Sequence, residues 1–525
     1  MTPAAHWDKT IAVEEIGGAP FRMYTSRPRR IEHLLPFATA WGDRACIIQG
    51  ERAVGFSGLL RASAAKAAQL VEHGVSQGDR VLLLGWNGPE WVVNFWACLR
   101  IGAVPALANA WWSAGEIADA VERLQPKVML ADAPGQAKLP PSSLRAPWGA
   151  PVGEDVDPNV TFETSSDENA PAAIIFTSGT EGRAKAVVLS HRSLIAVQQM
   201  LLHVTRRLPF TLSADYGEVT LHTGPLFHIG GIGALIRGVL LGNTLLFPTG
   251  RFDPGEAIEL IARYRITRWN AVPTMATRLI DHPDIAKRDV SCLKTMTLGG
   301  APVHAELLRR IHASLPGLNA RIASGYGLSE NAGQATAAGG AEIADRPGSS
   351  GRPLPLVEVK IVARNGLPDG EVLVRSPTQM LGYFGDDASP IDVEGWLHTG
   401  DLGRIDDRGS LWITGRSKDL IIRGGENIAP AAVERALIEL PGVVDAAVIG
   451  VPHPDLGEEV AAFVVVSGDQ TPEALKAGLR ESIASFAVPS IWRLQSEPLP
   501  VNQTGKVDKP SLLARVSARE RAFAR

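Results

Sequence analysis

Long apolar runs are missing from this chain: no stretch approaches the roughly 20 residues that a membrane-spanning helix needs, so no transmembrane segment is expected. Cysteine is scarce. Cys46, Cys98 and Cys292 are odd in number and widely spaced, which makes neither a disulfide framework nor a zinc site and fits a reducing compartment. No charge sign dominates. The formal net charge of −4 gives no basic surface for nucleic acid. The first twenty residues, MTPAAHWDKTIAVEEIGGAP, lack the basic start and apolar core of a secretory signal. The expectation is a soluble, cytoplasmic protein with no nucleic-acid partner.

What is present is a mixed-composition chain of 525 residues, 45% hydrophobic and 21% charged, too long for one ordinary domain. Strand-like and helix-like patterns alternate. RVLLLGW (80–86) reads as a buried strand and GPEWVVNFWACLRIG as a helix ending at Gly102. ITRWNAV reads as a strand, with Pro273 opening a helix. KTMTLGG reads as another strand, followed by a helix with Val303, Leu307, Leu308, Ile311 and Leu315 on one face. This alternation predicts an α/β fold with doubly wound, mostly parallel sheets. From about Glu358 short strands dominate (VEVKIVA, GEVLVRS, GSLWITG), predicting a β-rich subdomain. After Gly415 the pattern is strand, helix, two strands, helix, which reads as a small α+β domain of ordinary size. The expected division is 1–415 and 416–525. The proline-rich 139–160 segment reads as a surface loop, and no internal repeat is evident.

The segment FTSGTEGRAKAVVLSH (176–191) packs hydroxyls, glycines and a lysine between two apolar runs. Glycine backbone can approach phosphate oxygens closely, and Thr177, Ser178, Thr180 and Lys185 add donors and a cation. The loop joins two strands, unlike a Walker-type loop, which leads into a helix. Alone, it reads equally well as a polar hairpin or as a phosphate site.

Four further motifs follow in order: GYGLSE (325–330), WLHTGDLG (396–403), GRSKDLIIRGGENIAP (415–430) and LPVNQTGKVDK (499–509). Together with the first they resemble the signature motifs of the adenylate-forming superfamily, over a span from about Ile31 to Lys509. That resemblance implies ATP, Mg2+ and CoA as ligands, and assigns roles by motif position. Thr177, Ser178, Gly179, Thr180, Gly182 and Lys185 would cradle the β- and γ-phosphates. Glu330 would be the acidic Mg2+ ligand, since one carboxylate with ATP oxygens and waters suits that ion. Gly300, Ala301, Pro302, Gly325, Tyr326, Gly327 and Ser329 would form the adenine segments, with Tyr326 stacking on the base. Asp401 and Arg416 would meet the ribose. His228 would border the acyl site. Lys506 would be the catalytic lysine, placed between carboxylate and α-phosphate. Lys418 would be the hinge of a mobile C-terminal lid, and Gly424 and Gly425 would line the pantetheine channel after the lid turns.

The chain departs from the family pattern at Glu181, where a threonine is common, at Arg183-Ala184, at Ala186, at Ser329 and around Asn502. An acid at 181 should repel ATP unless it faces solvent or pairs with Arg183. The acyl-pocket segment PLFHIGGIGAL (225–235) carries no acid to receive a substrate ammonium. The implied reaction is therefore that of a free-standing acyl-CoA synthetase acting on an apolar carboxylic acid, whether fatty, aryl or alicyclic. A ligase that loads an acyl-carrier protein and a non-catalytic nucleotide-binding regulator are the alternatives. The expected assembly is a monomer or homodimer.

Overall fold

The computed structural model describes residues 7–150, 157–177, 183–209, 212–213, 216–301, 303–318, 321–363, 369–386, 388–502 and 505–516. The following topology is that of these residues. Six strands form one sheet in the order Gly382–Tyr383, Lys185–Ser190, Pro171–Thr177, Val104–Ala108, Arg80–Leu84, Val128–Ala131. Its inner pairs are parallel, and Lys185–Ser190 runs antiparallel on both sides. A nine-stranded sheet has a parallel centre in which Val219–His222 lies between Thr244–Phe247 and Arg268–Ala271. The strands Thr295–Leu298 and Ile322–Ser324 follow, also parallel.

Parallel neighbours need crossovers, and the sequence supplies them. Pro89 and Pro273 sit in the first turn of their helices, Pro89–Arg100 and Pro273–Ile280, where the missing N–H has no intrahelical partner to lose. Ser190 and Ser193 form a reciprocal cap that starts the helix His191–Val204. The helices His191–Val204 and Ile229–Leu241 share one large core with Trp91, Phe95, Trp96 and the first sheet.

The β-rich part is an antiparallel sheet of Glu358–Val362, Gly370–Arg375, Leu397–Ile405 and Leu411–Arg416. The tail has its own sheet, in which Val443–His453 and Gly457–Val466 pair along most of their length. The helices Pro430–Ile438 and Pro472–Arg480 cover one side of it. Three tail elements escape the sequence pattern: the short strand Glu426–Ile428, the strand Ile491–Gln495 and the helix Lys509–Arg515.

The described part of the proline-rich segment is the expected surface loop, tied inward at a few points. Ala146 is buried, and the buried Lys66 donates through Nζ to the Pro147 and Gly149 carbonyls, as Asn94 does to that of Trp148. Burial pulls the Lys66 amine down to about 8. Carbonyls freed by the prolines thus satisfy an ammonium that the core would otherwise strand.

Candidate active site

The site begins at the end of the first sheet. Thr177 and Lys185 face each other in register across the antiparallel pair, with Thr177 closing one strand and Lys185 opening the next. The loop therefore joins two strands, as expected. Ser178, Gly179, Thr180, Glu181 and Gly182 lie outside the described residues, as does Pro302. Arg183 pairs with Asp119 of the helix Ala114–Leu124 at 3.4 Å.

Lys185 meets a residue that sequence reading missed. Its Nζ lies 4.5 Å from the centroid of the Tyr383 ring, a cation–π contact. Tyr383 reaches this place because Gly382–Tyr383 pairs with Val187 and Val188 at the sheet edge. Its hydroxyl donates to Glu330 Oε1 at 3.0 Å. Tyr383 thereby joins Lys185 to the expected metal ligand. Burial and the Glu330 charge raise the Tyr383 hydroxyl far above its ordinary pKa, so it stays a donor.

Glu330 sits in a single 3-10 turn, Ser329–Asn331, directly after the strand Gly327–Leu328. Among the described residues no cluster of three His, Cys, Asp or Glu side chains is placed to hold a metal. An ion at Glu330 would thus take its other ligands from polyphosphate and water, which suits Mg2+. The carboxylate has no ion-pair partner among the described residues and keeps acceptor capacity beyond the Tyr383 bond, so the site fits the ion.

Gly325 and Gly327 are set by close approach of the returning chain. A β-carbon at Gly325 would lie 2.3 Å from the Thr336 carbonyl oxygen, and one at Gly327 1.8 Å from that of Gly333. Between them Tyr326 projects its hydroxyl to Asp401 Oδ2 at 2.6 Å. Arg416 Nε donates to the other oxygen, Oδ1, also at 2.6 Å. Asp401 and Arg416 are cross-strand partners in the β-rich sheet. The Asp401 residue is 3% exposed, so its charge is held by these two donors. Each of its oxygens retains a further lone-pair direction for a ligand hydroxyl.

Lys506 comes from the tail. The turn Asn502–Lys506 is closed by the Asn502 side chain, which accepts from the Lys506 N–H at 3.1 Å. Thr274, at the start of the helix Pro273–Ile280, donates to the Gly505 carbonyl, docking this turn on the large body. The Lys506 side chain crosses Gly300, where a β-carbon would sit 3.3 Å from Lys506 Cε. The residue keeps exposed surface, yet protein packed around the ammonium and the nearby Arg416 lower its pKa, while Asp401 opposes the shift. The same ammonium, after burial, helps push His228 down to about 4. His228 caps the helix Ile229–Leu241, and its buried Nε2 has no partner among the described residues. Asn87 fixes the approach to this histidine, donating to the Gly224 carbonyl and accepting from Leu226 N–H, both at 2.8 Å. An aromatic chain, Trp86, Trp111 and Phe227, leads up to it.

The structure thus gathers Lys185, Glu330 and Tyr383 at one end, and Tyr326, Asp401, Arg416, Lys506, Gly300 and His228 at the other. No described contact ties Ala301 or Ser329 to these groups through its side chain. Gly424 and Gly425 are not brought to them either. They form an exposed two-residue turn between Ile421–Arg423 and Glu426–Ile428, with φ of +58° and +89°, the positive values such hairpins demand. Lys418 is exposed in the connection between the β-rich sheet and the tail sheet.

This is an α/β fold in which the Asp401 carboxylate, the Lys185 ammonium and a lysine delivered from a separate tail come together. Residues 36–384 match the family model for AMP-binding enzymes, and residues 432–506 that for the AMP-binding enzyme C-terminal domain. The chain belongs to the AMP-binding enzyme family. It is 34% identical over 503 residues to a 3-[(3aS,4S,7aS)-7a-methyl-1,5-dioxo-octahydro-1H-inden-4-yl]propanoyl:CoA ligase of Mycobacterium tuberculosis, covering 90% of this chain and 95% of that protein. It is 32% identical to a feruloyl-CoA synthase of an Amycolatopsis species, covering 92% and 97%. Among solved structures it resembles the o-succinylbenzoate CoA synthetase of Bacillus subtilis in complex with an acyl-adenylate, with a TM-score of 0.76, 27% identity, and 91% and 97% of the chains covered. No helix among the described residues is long and apolar enough to cross a membrane.

Proposed function

We propose that this chain is an AMP-forming acid–CoA ligase for an apolar carboxylic acid with an aryl or alicyclic body. The carrying observation is the placement of Lys506. A lysine from the tail enters the space between the Asp401–Arg416 pair and His228, where an acid and the α-phosphate of a ribose-bound nucleotide would meet.

In the first half-reaction a carboxylate oxygen attacks the α-phosphorus. The bond from α-phosphorus to the bridging oxygen breaks, and pyrophosphate leaves. Lys506 stabilises the charge that develops between the two anions. Asp401 orients the ribose, and Lys185 holds the leaving phosphates. Mg2+ at Glu330, oriented by Tyr383, would neutralise polyphosphate charge. In the second half-reaction the CoA thiolate attacks the acyl carbon and AMP leaves. The tail turns about Lys418 between the two, withdrawing Lys506 and presenting Gly424 and Gly425 to the thiol arm. A cavity of about 1190 Å³ separates part of the large body (His304, Arg310, Arg404) from the tail (Arg435, Asp445, Pro498).

The ring-bearing acyl groups in the relatives' names support the substrate class, as does the aromatic chain beside His228. The test is a panel of carboxylic acids assayed for ATP-dependent AMP release, with CoA and with acyl-carrier protein as acceptors in parallel. AMP, pyrophosphate and an acyl-CoA are the expected products. Formation of ADP, or thioester only with carrier protein, would refute the reading.

A further inference from the structure

Arg237 has no place in the chemistry above. The helix Ile229–Leu241 starts after His228 and is buried at every position from Gly231 to Leu241 except this one, which is half-buried. The guanidinium folds back along the helix over Gly233, where a β-carbon would lie 3.2 Å from Nη1 and 3.6 Å from Nη2. One N–H is used: Nη1 donates to Gln198 Oε1 at 2.8 Å, from the helix His191–Val204. A guanidinium has five such donors.

No carboxylate pairs with Arg237 among the described residues. Glu218 already serves Arg207 at 2.9 Å and Arg268 at 2.7 Å, and the Arg268 charge adds to burial in pushing Arg237 down to about 10. Nearby polar atoms are also unmatched. His222 is 5% exposed with neither ring nitrogen partnered, and Thr220 Oγ1 is likewise buried without a partner. Thr220 and His222 alternate on one face of the strand Val219–His222. Burial and the field of Arg237 keep that imidazole neutral, with its pKa lowered to about 4. The half-buried cation has no counter-charge among the described residues, which is costly, and it keeps donors beyond the Gln198 bond. Counting 1.5 Å per residue from His228 to Gly233, the guanidinium sits about 7.5 Å along the helix from the acyl-side histidine.

We infer that Arg237, steadied by Gln198, determines substrate specificity: the acid activated here carries an oxygen acceptor, a ketone or a second carboxylate, at the end of its apolar body remote from the reacting carboxylate. This rests on the ligase reading and narrows its substrate class. A site whose buried donors need an acceptor discriminates strongly against an analogue that lacks one.

The test uses the full chain and three 3-phenylpropanoates that differ only in a branched para substituent: carboxylate, acetyl or isopropyl. Calorimetric binding of each acid, which needs no turnover, and kcat/KM for AMP release are measured for wild type, Arg237→Met and Arg237→Gln. Wild type is expected to favour an oxygen-bearing acid over the isopropyl acid by at least about tenfold. A carboxylate preference identifies an anion as the remote group, and an acetyl preference identifies a ketone. Arg237→Met should abolish or invert the preference while handling the isopropyl acid at least as well. Arg237→Gln keeps a neutral donor should the methionine variant not fold, and should lose the carboxylate acid more than the ketone. The inference is overturned if wild type does not favour either oxygen-bearing acid, or if folded variants weaken all three acids equally. Selective binding without AMP release would sink the ligase reading and leave the Arg237 assignment standing.

Discussion

Tyr383 shows how one side chain can couple two parts of a site. Its ring contacts Lys185 and its hydroxyl holds Glu330, so the two effects separate by substitution. Tyr383→Phe removes the hydrogen bond and keeps the ring. Loss of about 1 kcal/mol should raise the Mg2+ concentration needed for ATP–pyrophosphate exchange roughly fivefold, with little change in thermal stability. Tyr383→Leu removes the ring as well and should also raise KM for ATP, by up to about 1 kcal/mol more. An unchanged Mg2+ requirement in a folded Tyr383→Phe protein would remove the residue from the site. Asp401→Ala should cost about 2–3 kcal/mol of ATP binding, because a charged acceptor is lost. An unaltered ATP affinity measured by calorimetry would contradict the ribose role. Asp401 was legible as a motif acid. Tyr383 was not, because its two partners lie far from it in the chain and only sheet pairing brings them together. Arg237 was passed over for a related reason, since a single cation in an apolar, glycine-rich helix leaves the hydrophobic pattern intact.

At the scale of elements, the strands and helices that carry the site followed from apolar periodicity. The strand pair around the phosphate loop and the proline-led helices lie where the sequence places them, within a few residues. The strand Glu426–Ile428 escaped because it is short and holds one apolar residue, and Ile491–Gln495 because every one of its residues is only partly buried. The proline-rich segment is the surface loop that its composition indicates, but its anchors, hydrogen bonds from Lys66 to the Pro147 and Gly149 carbonyls, are not visible in composition. The turn that delivers Lys506 is the element with the clearest test. Gly505 has φ +81°, and a β-carbon there would lie 2.9 Å from Val272 Cγ2. Gly505→Ala should push the turn off the helix Pro273–Ile280 and slow acyl-AMP formation by about tenfold or more, since small displacements of a catalytic group are costly. Thioester formation from supplied acyl-AMP should be spared. Equal loss in both would mean that the turn is structural only.

The molecule as a whole should be sensitive to acid. His191, His203, His222, His228 and His304 all have pKa values lowered first by burial. A histidine with a depressed folded pKa binds its proton more readily in the unfolded chain, so protonation favours unfolding. Stability should be full above about pH 6.5 and fall as the pH drops towards 4. The shift of His222 to about 4 alone corresponds to roughly 3 kcal/mol by the lower limit. Urea unfolding at pH 7, 6 and 5 should show a falling free energy, and a flat profile would contradict neutral buried histidines. The two-body architecture carries the central claim, that Lys506 serves one half-reaction and is withdrawn for the other. Lys506→Ala, assayed for both half-reactions on one folded preparation, tests it most directly. The account predicts a loss of about 10²–10³-fold in acyl-AMP formation from acid and ATP, with thioester formation from synthetic acyl-AMP and CoA near the wild-type rate. Collapse of both half-reactions together would contradict it.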